Sequence, residues 1–328
     1  MTVLFVRGIN DKNKVTPHLT KDGKLGLEFD GSCSVFRYMD FSEQAAETVI
    51  LFPPSANQPA IRLAKKPSLV FNEISDPDSH KTTLERCVKL CSALGVPVIN
   101  HPANILRTSR DSVANLLGDV SGVKMPKTIR FKPLAPEDVF KQIAESGFDF
   151  PVIVRIAGVH GGKSNVFLES ESDLHKLHIY PFDGSSFYLT QFVDYRSEDG
   201  LYRKYRIVVV DGEPMVRHLL MNSEWLIHAA SQDFMEKRPE LWDEEKDSYE
   251  KFESDLKPVI ASSVREITKR LNLEYFGIDC NINEQGEILI FEANANMNVF
   301  FNRNPAYEER LKRIKQAIKG LVKRKSSY

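Results

Sequence analysis

The last apolar hairpin constrains this fold most, because it carries acids where carboxylates are costly. Residues 277–299, GIDCNINEQGEILIFEANANMNV, place two apolar runs around a turn. The run ILIF, directly before Glu292, is fully apolar and predicts a buried central strand. A two-residue turn at Gln285 and Gly286 would bring Asp279 directly opposite Glu292. Like charges opposed on one face of a sheet repel each other, so the pattern requires a compensating partner.

A hard cation is one such partner. Asn294 lies two residues after Glu292 and therefore shares its face of the strand. Two carboxylates and an amide oxygen suit Mg²⁺, which prefers oxygen ligands and leaves room for phosphate. The alternative is a hairpin edge facing solvent, where acids cost nothing. The amide-rich ANANMN that follows Glu292 favours the metal site, with Asp279, Glu292 and Asn294 as ligands.

Composition excludes several classes of partner. The 328 residues are 42% hydrophobic, with Lys+Arg 44 against Asp+Glu 45, so the formal net charge is -1. No global charge attracts the chain to nucleic acid or anionic lipid. Nor does any window approach the roughly 20 apolar residues of a membrane span. We therefore expect a cytoplasmic globular protein without nucleic-acid or membrane partners.

The order of apolar runs predicts mixed α/β architecture. SLVFNEI and VPVIN flank HKTTLERCVKLCSALG, which reads as a helix with a Gly stop. Strand, helix, strand in this order predicts a parallel sheet. A small α+β unit follows, with DLHKLH as a helix, and Asp211-Gly212 predicts a hairpin. The tail YEERLKRIKQAIKGLVKRKSSY reads as an amphipathic helix docked on the core.

A glycine loop offers a phosphate site. VRIAGVHGGKSNV puts Arg155 on a strand, followed by Gly158, Gly161, Gly162 and then Lys163. Glycines let backbone N–H groups approach a phosphate, and Arg and Lys supply charge. The spacing is not that of a Walker A loop, and a strand rather than a helix follows. A flexible hairpin turn is the alternative interpretation.

A basic strand lies downstream. YRKYRIVVV carries Arg203, Lys204 and Arg206, and the planar fork of Arg206 suits a phosphate clamp. Alternatively, these residues begin an exposed strand, where their aliphatic stems cover apolar surface and their charged ends reach solvent. Polar and aromatic residues beyond this strand are candidates for substrate contact, although a lone histidine is more often a structural residue. The substrate candidates are Arg217, His218, Trp225, His228 and Asn296.

These pieces in this order resemble the ATP-grasp superfamily, in its branch of glutathione synthetase and ribosomal-protein-modifying glutamate ligases. The resemblance spans residues 100–301. GID, ending at Asp279, and FEAN match the Asp and Glu-x-Asn metal set of the family. KYRIVVVDGE matches its strand with a phosphate-facing Arg, here Arg206. LTQFVD matches the hinge where backbone groups meet adenine and an acid, here Asp194, meets ribose; the adenine-facing residues would be Gln191, Phe192 and Val193.

Two positions depart from the family pattern. The family has Lys on the strand before the glycine loop, where this chain has Arg155. A second family Lys, near the start of the helix before the small lobe, appears here as Arg110. Arginine keeps the positive charge and binds phosphate bidentately, so nucleotide binding is expected to survive the exchange.

The resemblance implies an α/β and α+β protein with the ATP-grasp fold. Residues 1–105 would form an N-terminal Rossmann-like domain, 106–190 a small lobe with the glycine-rich lid, and 191–328 the C-terminal lobe with the metal site. The implied cofactors are ATP and two Mg²⁺ ions, with Mn²⁺ as an alternative. Homo-oligomerisation is left open by the sequence.

The implied reaction joins a carboxylate to an amine through an acyl phosphate, with an amino acid, peptide or small molecule as acceptor. Arg206 and Arg155 would be catalytic. The residues expected to hold the nucleotide phosphates are Arg110, Arg155, Lys163, Gly161 and Gly162. Two alternatives remain: a small-molecule kinase on the same fold, and a nucleotide-binding module without turnover.

Overall fold

A four-stranded parallel sheet organises the N-terminal part of the chain. The computed structural model describes residues 2–19, 23–33, 35–39, 41, 45–54, 61–159, 162, 164–228, 230–297, 299–300 and 304–327. The first elements are β1 (Thr2–Gly8), β2 (Thr16–Leu19), β3 (Leu25–Glu28), α1 (Val35–Tyr38), β4 (Ala45–Leu51), β5 (Leu69–Asn72), α2 (Lys81–Leu94), β6 (Val98–Ile99) and α3 (Pro102–Ile105). The sheet order is β4-β1-β5-β6, and all neighbours are parallel. The predicted strand–helix–strand unit is confirmed, and α2 ends at a left-handed Gly95 with φ 61°.

An antiparallel sheet follows, in the order β10-β9-β11-β8. The elements of this part are α4 (Arg110–Leu117), β7 (Val123–Lys124), β8 (Thr128–Phe131), α5 (Pro136–Glu145), β9 (Val152–Ile156), β10 (Asn165–Leu168), a 3₁₀ segment (Glu171–Ile179) and β11 (Phe187–Gln191). Val139 of α5 packs against Val154 and Leu189 in a separate apolar core. The predicted helix DLHKLH lies within the 3₁₀ segment.

A five-stranded sheet, ordered β13-β12-β14-β15-β7, completes the fold. The elements are β12 (Tyr202–Val210), β13 (Glu213–Asn222), α6 (Ser231–Glu236), α7 (Pro239–Lys251), a π-helical segment (Phe252–Leu256), α8 (Lys257–Leu271), β14 (Tyr275–Ile282), β15 (Ile288–Ala295), a 3₁₀ turn (Pro305–Tyr307) and α9 (Glu308–Lys325). Asp211 and Gly212 have φ 54° and 83°, which confirms the predicted tight hairpin. β15 lies between β14 and β7, as its apolar run predicted.

These sheets confirm the expected mixture of α/β and α+β structure. No helix of the described ranges is long and apolar enough to cross a membrane.

Two β-bulges interrupt the five-stranded sheet. Arg206 pairs with His218 but the next residue, Ile207, pairs with Val216, so Arg217 is an extra residue on β13. On the other side, Asp279 pairs with Glu292 while Cys280 pairs with Ile290, which leaves Phe291 as an extra residue on β15. A bulge bends its strand and re-aims the neighbouring side chains. Both bulges flank the same row of paired residues.

A polar contact joins the parallel sheet to the antiparallel sheet. The Tyr188 hydroxyl on β11 lies 2.9 and 2.7 Å from the two carboxylate oxygens of Asp78, in the loop between β5 and α2. Arg130 on β8 also donates to Asp78 and to the Tyr188 hydroxyl. Hydrogen bonds to a charged acceptor are stronger than neutral ones. Asp78 therefore holds two parts of the chain together.

We expect Asp78→Asn to lower the free energy of unfolding by about 1–2 kcal/mol, because the charge-assisted bonds weaken while the shape is kept. Urea unfolding would measure this loss. Asp247→Asn on the exposed face of α7 is the control, and an equal loss in the two variants would contradict the role of Asp78.

Glu73 is a buried acid at the end of β5. Its Oε1 accepts a hydrogen bond from the Phe36 N–H at 2.8 Å, while its Oε2 lies 3.9 Å from Arg7 Nε. Burial raises the pKa of Glu73 to about 7, although the Phe36 bond and Arg7 oppose the rise. The folded state therefore binds a proton more tightly than the unfolded chain does. The free energy of unfolding should fall as pH rises from about 4.5 to about 7.

Glu73→Gln removes this titration and keeps an oxygen for the Phe36 N–H. Between pH 5 and pH 8, the variant should gain about 2 kcal/mol of unfolding free energy relative to the wild-type protein. Urea titrations at both pH values measure the difference. Glu85→Gln, on the exposed face of α2, should show no such change. A wild-type-like pH dependence in Glu73→Gln would contradict the assignment.

Candidate functional site

Four charged or titratable side chains form one row across the five-stranded sheet. His218 pairs with Arg206, Arg206 with Asp279, and Asp279 with Glu292. The sequence predicted the last pairing from a two-residue turn, but the strands end at Ile282 and Ile288, so the turn is longer. The bulge on β15 restores the pairing by shifting the register by one residue. All four side chains line one cleft.

Asp279 is buried and engaged by two cations. Arg206 donates from Nε and Nη2 to its two oxygens, at 2.7 and 2.8 Å, and Lys204 Nζ lies 3.0 Å from Oδ2. Burial opposes ionisation of Asp279, yet Arg206 and Lys204 hold its pKa well below the usual range. Burial disfavours the charged form of Arg206 as well, but Asp279 raises its pKa. Asp279, Arg206 and Lys204 therefore form an ion cluster at the centre of the sheet.

Lys204 is a functional candidate that the sequence prediction did not select. It lies two residues before Arg206 on β12 and so shares its face of the strand. The residue is only 9% exposed, and its Nζ also donates to the Ile227 carbonyl at 2.7 Å. The available signal was the spacing of Lys204 and Arg206 opposite an acidic strand.

Glu292 faces a different cation. Arg110 Nη2, from the first turn of α4, lies 2.5 Å from Glu292 Oε1, and Nη1 donates to the carbonyl of the bulged Phe291 at 3.1 Å. Burial opposes ionisation, but Arg110 and Arg155 lower the pKa of Glu292 to about 2. The Asn294 side chain lowers the pKa of Glu292 further. Arg110 and Arg155, both distant from Glu292 in the sequence, thus act on one carboxylate.

Arg155 lies on β9 beside this group. Its Nη2 donates to the Val159 carbonyl at 2.6 Å, while its Nε has no hydrogen-bond partner among the described residues. Burial lowers the pKa of Arg155 to about 10, with a further contribution from Arg110. A buried N–H without a partner is costly and favours an anionic ligand from outside the chain.

The predicted glycine loop is described only in part. Gly161 and Lys163, both predicted to hold phosphate, lie outside the described residues. Gly162 lines the cleft with φ 77°, a backbone conformation that favours glycine. An added Cβ there would lie 3.4 Å from Leu226 Cδ1, so the loop and the opposite wall are close.

The predicted hinge forms an apolar end of the cleft. Gln191, Phe192 and Val193 all line it. The Phe192 ring makes edge contacts with Phe167 and Trp225, at centroid distances of 4.8 and 5.9 Å. Such a surface suits a planar, weakly polar ring such as a nucleobase.

Asp194, expected near ribose, lies in an exposed ion pair instead of an enclosed contact. Its Oδ2 accepts a bond from Arg196 Nη2 at 2.6 Å, and this pair lowers the pKa of Asp194. Contact with ribose stays a prediction.

The substrate candidates divide into two groups. Arg217, His218, Trp225 and His228 line the cleft. Burial, followed by Arg206 and Arg217, lowers the pKa of His218 well below its usual value, so its imidazole is neutral at pH 7. Asn296 is not in the cleft lining: it is buried, accepts a bond from Asn100 Nδ2 at 2.6 Å and donates to the Ile74 carbonyl at 3.2 Å. Its described contacts join β15 to the loops of the parallel sheet.

The cleft has a volume of about 1110 Å³, large enough for a nucleotide and a second small molecule. Its apolar end is the hinge, and its charged end is the row across the five-stranded sheet. Arg110, Arg155 and Arg206 reach the charged end from α4, β9 and β12. Three guanidinium groups around two carboxylates suit a ligand with several anionic groups and a cation.

The predicted metal ligands fit Mg²⁺ unequally. Glu292 and Asn294 are oxygen-bearing neighbours on one face, as a Mg²⁺ site requires. Both oxygens of Asp279 already accept hydrogen bonds from cations. Within the described ranges, no group of three or more His, Cys, Asp or Glu could hold a metal by itself. The described residues therefore fit an ion on Glu292 and Asn294, completed by ligand oxygens.

Comparisons with solved structures identify the fold. The RimK domain ATP-grasp protein of Sphaerobacter thermophilus matches with TM-score 0.52 and 15% identity, over 97% of this chain and 96% of that one. The D-alanine-D-alanine ligase of Coxiella burnetii matches with TM-score 0.58 and 11% identity, over 100% and 95%. The Bacillus anthracis D-alanine–D-alanine ligase complexed with ATP matches with TM-score 0.53 and 11% identity, over 99% and 97%. No family model and no curated protein matches the sequence.

Removing the charge of Asp279 should destabilise the fold more than removing that of Glu292. Asp279→Asn leaves Lys204 and Arg206 without their anion, and breaking such a buried pair costs about 3–5 kcal/mol. Glu292 and Arg110 are each about one-fifth exposed, so we expect Glu292→Gln to cost about 1 kcal/mol. Urea unfolding at pH 7 without nucleotide measures both variants. Equal losses would contradict the anchoring role of Asp279.

Proposed function

We propose that this chain, which has the ATP-grasp fold, is an ATP-dependent ligase that joins a carboxylate to an amine. The observation that carries the proposal is the convergence of Arg110, Arg155 and Arg206 on the Asp279–Glu292 pair in one cleft. The names of similar structures support it, because several are D-alanine–D-alanine ligases and one of these is complexed with ATP. Those names belong to proteins of low sequence identity, so the reaction is proposed from the site itself.

ATP would lie with its base at the apolar hinge and its phosphates at the charged row. The Phe192 ring and its aromatic neighbours provide a face for the base. The open Nε of Arg155 and the guanidinium of Arg206 would donate to phosphate oxygens. Planar guanidinium groups bind phosphate bidentately, which fixes its orientation as well as its charge.

Glu292 and Asn294 would hold Mg²⁺, which supplies positive charge to the phosphate oxygens. Asp279 belongs to the expected ligand set, but its described contacts make it the anchor of Arg206 and Lys204. Its part in the site is then to orient two cations towards the phosphates.

The reaction would take place in two steps. A carboxylate oxygen of the first substrate attacks the γ-phosphorus, the bond from that phosphorus to the β-phosphate oxygen breaks, and ADP leaves. The amine of the second substrate then attacks the acyl carbon, phosphate leaves with the electron pair of the C–O bond, and the nitrogen loses a proton. Arg206 would stabilise charge on the moving phosphoryl group. The side chains act by positioning and charge, so no nucleophilic residue is required.

The substrates would bind at the end of the cleft that Arg217 and His218 line. A guanidinium beside a neutral imidazole suits an acidic group next to a hydrogen-bonding one. The carboxylate and amine are therefore expected to be small molecules, amino acids or peptides with an anionic group.

The test is release of ADP and phosphate that depends on both an acid and an amine. Glu292→Gln should lower kcat by about 100-fold or more, because an acidic oxygen ligand near the phosphates is lost. Glu284→Gln, exposed in the turn of the same hairpin, should keep wild-type activity. A coupled ADP assay, with product mass spectrometry, measures both.

Other products would favour the alternatives. ADP with a phosphorylated acceptor and no amide would indicate a kinase. Nucleotide binding without ADP release would indicate a binding module. Full activity of Glu292→Gln would contradict the assignment of the metal site.

A further inference from the structure

We propose that the ammonium of Lys204 acts as a fixed second cation of the phosphate site, so that the nucleotide complex takes up one divalent ion rather than two. This inference rests on the proposed function, since it assumes that ATP and a divalent ion bind in the cleft. It concerns how many ions bind and which residues receive them.

The first argument is the position of Lys204. Its Nζ is held from two sides, by the Ile227 carbonyl at 2.7 Å and by Asp279 Oδ2 at 3.0 Å. The side chain is 11% exposed and lines the cleft. Described residues therefore engage two of its three N–H donors, and the third remains for a phosphate oxygen. Because the chain already holds this ammonium, it does not have to be bound from solution as a metal ion does.

The second argument is charge. Asp279 carries one negative charge and accepts three hydrogen bonds from the two cations Arg206 and Lys204. A divalent ion on this carboxylate would approach two fixed positive charges in a buried position, where repulsion is strong. Three of the roughly four lone-pair positions of this carboxylate are already used by Arg206 and Lys204, which leaves at most one for a metal ion. The carboxylate is therefore a poor ligand while Lys204 is present.

The third argument is the contrast with Glu292. Arg110 is the only cation at ion-pair distance from Glu292 among the described residues, and it contacts only Oε1. Asn294 adds an amide oxygen on the same face. The Glu292 side chain is also 22% exposed, against 5% for Asp279. Glu292 is thus accessible to a divalent ion, whereas the charge of Asp279 is neutralised by Arg206 and Lys204.

Equilibrium dialysis tests the inference on the full chain, with Mn²⁺ and the non-hydrolysable ATP analogue AMP-PNP at saturation. Bound Mn²⁺ and bound AMP-PNP are measured separately, and their ratio is the readout. We expect a ratio of one for the wild-type protein and of two for Lys204→Met, which keeps a side chain of similar length but removes one positive charge and one of the two hydrogen bonds to Asp279 Oδ2. Lys204→Arg keeps the charge and should give one. Lys132→Met, exposed after β8, is the matched control and should also give one.

A ratio of two in the wild-type protein would overturn the inference whether or not the variants fold. A ratio of one in folded Lys204→Met with AMP-PNP bound would overturn it as well. If the wild-type protein takes up no AMP-PNP, the proposed function itself fails, and this inference fails with it. Nucleotide uptake at a ratio of two would leave the proposed function standing and remove only the role of Lys204.

Discussion

The ion cluster of Asp279, Arg206 and Lys204 is the interaction on which the candidate site depends. A buried carboxylate is costly, and the cost is offset only when each of its oxygens finds a well-placed donor. β12 supplies both donors from one face, two residues apart, and β14 supplies the acceptor directly opposite Arg206. The same bonds that stabilise the sheet therefore fix the direction of a guanidinium and an ammonium towards the cleft. Stability and preorganisation have one source here, because a cation held by a buried anion does not reorient when a phosphate arrives.

The two bulges explain how one sheet face presents so many polar side chains. In an unbroken strand, Arg217 and His218 would point to opposite faces. The bulge at Arg217 lets both line the cleft, next to Arg206 on the neighbouring strand. On β15 the bulged Phe291 offers its carbonyl to Arg110, so the irregularity also provides an acceptor that brings α4 to the sheet. Bulges next to a site are expected when side chains have to be re-aimed.

The sequence predicted the type of most elements and the opposition of Asp279 and Glu292, because strand alternation and a turn signal are local. The sequence predicted this pairing from a two-residue turn, which is shorter than the turn in the structure. The bulge was not predictable, because its extra residue, Phe291, is apolar like its neighbours and does not change the hydrophobic pattern. The sequence places Lys204 on a basic strand but does not predict its bond to the Ile227 carbonyl, because that carbonyl lies in a loop that has no periodic signal. The sequence predicts Asn296 as a substrate contact, and it lies in an amide-rich run. Its bond with Asn100 depends on contact between two sheets, which no local pattern encodes.

The C-terminal helix α9 covers the core, as its amphipathic pattern predicts. It also contributes to the surroundings of Arg217. Arg217 donates from Nε to the Val299 carbonyl at 2.9 Å, and its guanidinium lies 4.6 Å from the centre of the Tyr307 ring. Arg310 of α9 also lies near that ring; it is buried, and its Nη1 lies 2.5 Å from Glu245 Oε1. The Tyr307 ring thus lies near two guanidinium groups, Arg217 at 4.6 Å and Arg310 at 5.4 Å, and the second is held in a buried ion pair. A guanidinium constrained before binding loses little conformational entropy when it meets an anion. The environment of Arg217 in the cleft therefore includes Glu245 of α7 and Arg310 of α9, neither of which lines the cleft.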